Sequence, residues 1–390
     1  MTSEFEAAST GSSATALASP PPLVRGPDLG PDLADDIQAS LAGAYILDDR
    51  LQWVEALAAL GGVRGREAWY RLAGMKPDGV NPRPLAAQIE FTQRCNLTCS
   101  FCYNDSGPDN RDELSMDCLA SVCQQLIDLQ VAELIISGGE PLMRPAHLGL
   151  VLDIFSGSGI PIHVLTNGTL MTDAWCRRLK DAGAVTLQVS LDGGDPAVHD
   201  VVRGRRGSWA KALGGLAMAA DHGLHTFVST VLTRDNVASL PALVDACYLA
   251  GCRTLNIGDL ITWGRGDPFM ASGACTDDQY DDAAEFIRAR GLALQDHMDI
   301  RLAVSMYFYI CQLRYRGQES MLIRGDGSVR PHCTLSGIVC GSVHEESLAE
   351  IWDRRLAAVH RSAELDAVLA AHQLVVTPRL RQIRCARRSS

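Results

Sequence analysis

Between residues 88 and 257, apolar runs of strand length recur, each ending in a polar or glycine-rich turn and each followed by helix-compatible sequence. The runs are Gln88–Phe91, Ala132–Ser137, Ile160–Leu165, Ala184–Leu191, His225–Leu232 and Cys252–Ile257. Parallel neighbours need a crossover long enough to hold a helix, so this alternation selects a parallel sheet. Six such units predict an α/β fold built on a partial (β/α)6 barrel of the TIM type, whose chemistry gathers where the strands end.

The first run ends in Thr92–Gln93–Arg94–Cys95–Asn96–Leu97–Thr98–Cys99–Ser100–Phe101–Cys102–Tyr103. A structural zinc site wants four protein ligands. No histidine lies between Cys95 and Cys118, and Cys118 and Cys123 fall in a stretch that reads as helix. Soft thiolates also bind the irons of iron–sulfur clusters, and three of them on a four-iron core leave one iron open to a small molecule. A redox pair or an irregular zinc knuckle is the other reading of these spacings. The second run ends in Gly138–Gly139–Glu140–Pro141. Glycines there let the backbone approach a ligand, and the carboxylate suits an ammonium group; a plain strand-to-helix turn is the alternative.

The CxxxCxxC spacing with Phe101 before its last cysteine resembles the cluster loop of the radical S-adenosylmethionine superfamily, and Gly138–Gly139–Glu140 resembles that family's GGE motif. The resemblance implies a 4Fe–4S cluster on Cys95, Cys99 and Cys102, with S-adenosylmethionine chelated by the open iron. Reductive cleavage of that cofactor would yield a 5′-deoxyadenosyl radical that takes a hydrogen atom from the substrate. The methionyl amino group would meet Gly138, Gly139 and Glu140, and the ribose, adenine and carboxylate would meet Asn167, Ser190, Asp192, Thr233 and Asn236. Asp192 faces the substrate in an alternative arrangement, and turn or cap chemistry accounts equally for each of these residues. His199–Gly204 and Trp263–Gly266 resemble members with a C-terminal iron–sulfur extension. Arg203 and Arg265 there could hold a carboxylate, or form loop salt bridges, the simpler reading for Arg203.

After the barrel, Cys311, an Asp326–Gly327 hairpin signal ending in Cys333, Cys340–Gly341 and Leu348–Trp352 follow one another in the order of a SPASM or twitch extension. Five residues separate Gly327 from Cys333 where the family has four, and only Cys385 remains of the cysteine-rich tail. Cys311, Cys333, Cys340 and Cys385 would just fill a second cluster; the alternative is a decayed extension with buried cysteines. Cys118, Cys123, Cys176 and Cys247 read as helix core. Cys275 is a candidate hydrogen donor to a substrate radical, or a loop cysteine.

A net charge of −11 argues against a nucleic-acid partner. Thirteen cysteines, an odd count, suit metal and free thiols in a reducing cytoplasm better than a disulfide framework. No apolar run approaches the roughly 18 residues of a membrane span, and no signal peptide opens the chain. The expected organisation is a disordered stretch over 1–31, a helical cap over 32–84, the barrel over 85–300 and the extension over 301–390. The resemblance implies a peptide or other natural-product substrate and an electron donor of the flavodoxin or ferredoxin type. The alternatives are a carbohydrate dehydrogenase or epimerase of aminoglycoside-type biosynthesis and, in another class, a non-catalytic iron–sulfur scaffold or carrier.

Overall fold

The apolar runs become strands with one residue in two sealed and its neighbour half open, the burial expected where one face meets helices and the other a lumen. The computed structural model describes residues 81–183, 185–258, 260–261, 263–302, 318–335 and 337–373. The expected disordered stretch, nearly all of the expected cap, Cys311 and Cys385 lie outside them.

In chain order the elements are β1 (Ala86–Glu90), α1 (Met116–Asp128), β2 (Glu133–Ile136), α2 (Pro145–Phe155), β3 (Ile162–Thr166), α3 (Asp173–Asp181) and β4 (Val185–Ser190). Then come α4 (Pro196–Arg203), α5 (Ser208–Asp221), β5 (His225–Val231), α6 (Leu240–Leu249), β6 (Thr254–Gly258), α7 (Gly266–Gly273), α8 (Asp277–Leu294) and β7 (Asp299–Leu302). The last are β8 (Ser320–Arg324), β9 (Ser328–Arg330), β10 (Gly341–Ser342), α9 (Leu348–Arg354) and α10 (Ala363–Gln373). No helix among the described residues is long and apolar enough to cross a membrane.

Strands β1 to β7 are parallel and adjacent in sequence order, with helices supplying the crossovers. The sheet is open, as a partial barrel requires, with β7 and β10 at its edges. Helix starts carry the caps that orphan amides demand: the side chains of Ser115, Thr172, Asp195, Thr276 and Ser347 each accept from first-turn amides. Cys123, Cys176 and Cys247 are buried in the core between sheet and helices, and Cys118 lies half-buried on α1.

Two features differ from the expectation. A seventh parallel strand, β7, follows α8, because Asp299–Leu302 is too short and too charged to read as a strand without its partner β6. The C-terminal hairpin forms around Asp326–Gly327 as expected, yet it is no separate sheet: β8 pairs in parallel with β1 over five residues, Ala86 to Glu90 opposite Ser320 to Arg324. Hydrogen bonding across β1 thus makes barrel and hairpin one ten-stranded sheet. Trp352 of α9, fully buried, seals the junction by donating from Nε1 to the Asn81 carbonyl (2.9 Å).

Candidate active site

Immediately beyond β1, the chain turns through the three-cysteine loop, and Cys95, Leu97 and Cys99 form a small buried group against which Cys102 packs. The loop is fastened on every side by backbone. The Cys95 amide donates to the Gly107 carbonyl (3.0 Å), that of Ser100 to Val202 at the end of α4 (2.9 Å), and that of Glu140 to Arg94 (2.8 Å). The glycine pair also has a structural use that the expectation did not include. A Cβ on Gly138 would lie 2.5 Å from the Thr92 carbonyl oxygen, and one on Gly139 only 2.0 Å from that of Arg94. The two glycines let the turn after β2 press against the cysteine loop, while Gly138 also adopts a positive φ of 116°.

Glu140 is fully buried and already engaged. Its carboxylate accepts from the Leu142 amide (3.0 Å), the Thr166 hydroxyl (2.7 Å) and the Asn167 amide (2.7 Å), tying the end of β2 to the end of β3. Burial nevertheless raises its pKa. Asn167 bridges to the cysteines: its Nδ2 donates to Asn96 Oδ1 (2.8 Å) and lies 3.9 Å from Cys95 Sγ. Ser190 is half-buried on the lumen face of β4, in a polar row with Ser229, Asn256 and Arg301. Asp192, by contrast, is sealed, accepting from the Val231 amide (3.0 Å) and from Arg203. Thr233 and Asn236 serve the turn after β5: Asn236 accepts from the Thr233 amide and donates to the Asp192 and Val231 carbonyls.

The residue that sequence reasoning most undervalued is Arg203. The expected salt bridge is there, to Asp192, but it is buried rather than on the surface: the Arg203 side chain is 11% exposed, reaches Cys99 Sγ (3.7 Å) and lies 5.7 Å from the centre of the Phe101 ring. Arg265 also turns inward, onto the loop backbone. Its amide donates to the Cys102 carbonyl (3.0 Å), and its guanidinium to the carbonyls of Cys99 (2.7 Å) and Ser106 (2.8 Å) and to Asp105 (2.8 Å). Glu90, at the end of β1, was missed altogether. Fully buried, it accepts from Gln88, Gln93, Tyr103 and Asn104. The available signal was a lone acid at the end of an apolar strand, which burial obliges to find partners.

The donor set fits an iron–sulfur core. Burial pushes the Cys95 thiol up to about 12 and also raises Cys99, the latter opposed by Arg203, so these thiolates need the countercharge that a cationic iron core supplies. No three His, Cys, Asp or Glu residues among the described ones are grouped for a single metal ion. Three thiols gathered by one loop, Cys95 and Cys99 buried with Cys102 packed against them, are a donor set that a four-iron core can take. Three further cysteines among the described residues lie outside this buried group. Cys275, between α7 and α8, packs against the main core. Burial, with the nearby Glu90 charge adding to it, pushes the Cys333 thiol up to about 12. Cys340 is buried in the core near Arg354 and Arg355, its thiol pushed up to about 11 chiefly by burial.

Residues 89–247 match the family model described as the radical SAM superfamily, and residues 311–369 match the iron–sulfur cluster-binding SPASM domain. The chain is similar to the sporulation killing factor maturation protein SkfB of Bacillus subtilis, at 26% identity over 69% of this chain and 64% of that one. It is also similar to the mycofactocin maturase MftC of Mycobacterium tuberculosis, at 34% identity over 53% of each. The chain thus spans less than two thirds of either relative. In fold it is similar to Streptococcus suis SuiB, solved with its precursor peptide SuiA, with a TM-score of 0.63 and 16% identity over 84% of this chain and 77% of that one.

Proposed function

Since the chain belongs to the radical S-adenosylmethionine superfamily and carries an iron–sulfur cluster-binding module, we propose that it modifies a peptide by radical chemistry. The family's cofactors are a 4Fe–4S cluster and S-adenosylmethionine. When bound, they supply a 5′-deoxyadenosyl radical that removes a hydrogen atom from the substrate. The observation that carries the reading is the gathering of Cys95, Cys99 and Cys102 in one buried group, on a loop whose Thr92–Arg94 stem is pressed by the glycine pair and with Arg203 donating toward Cys99 Sγ.

In this reading the three cysteines hold the cluster. Donors aimed at Cys95 and Cys99 from Asn167 and Arg203 spread the sulfur charge, the means by which proteins set cluster potentials. Gly138 and Gly139 seat the methionyl end through backbone, while Glu140 holds that turn to β3 rather than offering a free carboxylate. Ser190 presents its hydroxyl to the lumen, and Asp192 orients Arg203, whose free N–H groups suit a carboxylate. Phe101, Val202 and Leu260 form an apolar wall beside them that keeps water from the reacting atoms.

A peptide substrate is favoured because one similar protein is named a PqqA peptide cyclase, SkfB and MftC are named as maturation proteins, and SuiB was solved with a precursor peptide. Cys275 sits against the main core rather than in the cysteine group, which favours oxidation or crosslinking over epimerisation through a thiol donor. A second cluster would draw on Cys333 with Cys311 and Cys385; the surroundings of Cys340 suit core packing better. An electron donor of the flavodoxin or ferredoxin type completes the scheme.

Anaerobically reconstituted protein should release 5′-deoxyadenosine from S-adenosylmethionine under dithionite. A protein that carries iron but never cleaves the cofactor would be a scaffold or carrier instead. Iron and sulfide counts on a Cys95→Ala, Cys99→Ala, Cys102→Ala variant test the second cluster: about four irons should remain per chain, and none would refute it.

A further inference from the structure

A cavity of about 150 Å3 opens to solvent directly behind the cysteine loop, lined by Asn96, Thr169, Leu170, Arg205, Arg206 and Lys211 among others. Three cations at one mouth are out of keeping with a chain of net charge −11. Elsewhere on the surface arginines are matched with acids, as in Arg178–Asp153, Arg290–Asp245 and Arg354–Glu346. Arg206 and Lys211 are exposed and have no carboxylate partner among the described residues. Asp200, in the same turn, is taken up by the Gly207 and Trp209 amides and the Ser208 hydroxyl. Arg205 is held in place by donating to the Asn96 carbonyl (2.9 Å).

The cavity floor leads straight to the cluster loop. Asn96 follows Cys95 in the chain, donates from Nδ2 to Thr169 Oγ1 (2.9 Å) and accepts from Asn167, whose Nδ2 lies 3.9 Å from Cys95 Sγ. Leu170, 37% exposed, adds an apolar contact at the rim. A small, positively charged, partly apolar patch one residue from a cluster ligand has the character of a redox encounter surface. Such surfaces are small and bind weakly, and they depend on charge steering for rate.

We infer that this basic cavity is where an acidic flavodoxin-type protein docks to deliver the electron. The inference rests on the cluster assignment proposed above. The donor's reduced flavin gives up one electron, which passes through the Asn96–Cys95 segment to the cluster, and no bond forms or breaks at the interface. The cavity's lining does not include Ser190 or its polar row, which sit half-buried on the sheet, whereas Arg206 and Lys211 are exposed. Substrate and donor therefore need not compete.

The test uses the reconstituted holoprotein and an Arg206→Glu/Lys211→Glu variant, with a photoreduced bacterial flavodoxin as the probe. Bleaching of the cluster's visible absorbance by flavodoxin should slow by roughly tenfold or more at low ionic strength, within the range that charge steering covers. The wild-type rate should fall with added salt, and reduction by dithionite should be the same in both proteins. An unchanged flavodoxin rate would overturn the inference, and so would equal slowing with dithionite, which would place the effect on the cluster loop itself. Binding of oxidised flavodoxin, followed by flavin fluorescence anisotropy, needs no working cluster. Salt-sensitive binding lost in the variant would support the patch even if the cluster assignment failed. Intact binding in the variant, with weakened binding of an acidic peptide, would reassign the patch to substrate and overturn the inference.

Discussion

At the scale of single residues, the site depends on two inward-turned arginines with different tasks. Arg203 neutralises Asp192, which is fully buried and has only the Val231 amide as a further donor from the described residues. Removing it in Arg203→Ala strands that carboxylate, at a cost of about 3–5 kcal/mol, which urea denaturation would register. Arg203→Lys should recover part of this stability but little cofactor cleavage, because a point charge cannot serve Asp192 and Cys99 together. If Arg203→Lys cleaves S-adenosylmethionine at the wild-type rate, the assigned role is wrong. Arg265 works on backbone instead, bridging the carbonyls of Cys99 and Ser106 to Asp105. Gly264 makes this approach possible, since a Cβ there would stand 2.6 Å from the Cys102 and Tyr103 carbonyl oxygens. Arg265→Lys should keep the fold with a loss of about 2 kcal/mol but release iron to a chelator several times faster than wild type. Iron release at the wild-type rate would show that the loop does not need this strut.

At the scale of elements, the β4–α4 connection carries a pH dependence. His199, near the start of α4, is 1% exposed, and its Nδ1 accepts from the Asp192 amide (3.1 Å). Burial, helped by the nearby Arg203 charge, lowers its pKa from 6.5 to about 4. The folded protein therefore keeps this ring neutral while the unfolded chain protonates it near its ordinary value. The stability it preserves is complete above about pH 6.5 and is lost as pH falls toward 4, up to about 3 kcal/mol from this group. Urea midpoints at pH 7.5 and 5 should differ in the wild type, and His199→Gln should narrow the difference. An equal difference in both proteins would assign the effect to other groups. Helix α9 shows how an element can be read directly: Ser347 and Glu350 form a reciprocal capping box.

At the scale of the whole molecule, the C-terminal hairpin is part of the barrel's own sheet. Strand β8 covers the edge of β1, the strand that carries the cysteine loop, and Trp352 locks the same corner. Ending the chain after residue 302 would leave β1 as an unpaired, apolar edge, the usual template for aggregation. Such a truncated protein should be recovered mainly as aggregates in size-exclusion chromatography; a stable monomer would mean the hairpin is a detachable module. What the sequence alone determined was whatever is local. The six apolar runs marked their strands through alternation and turns, the Asp326–Gly327 hairpin through its turn chemistry, and the cysteine trio through its spacing. What only the tertiary structure decided was whatever joins distant segments: the seventh strand, the pairing of β8 with β1 across more than 200 residues, the inward turn of Arg203 and Arg265, and the burial of Glu90. Side-chain type and spacing encode a local conformation, but whether a charged residue faces water or a buried partner depends on packing that no short stretch of chain contains.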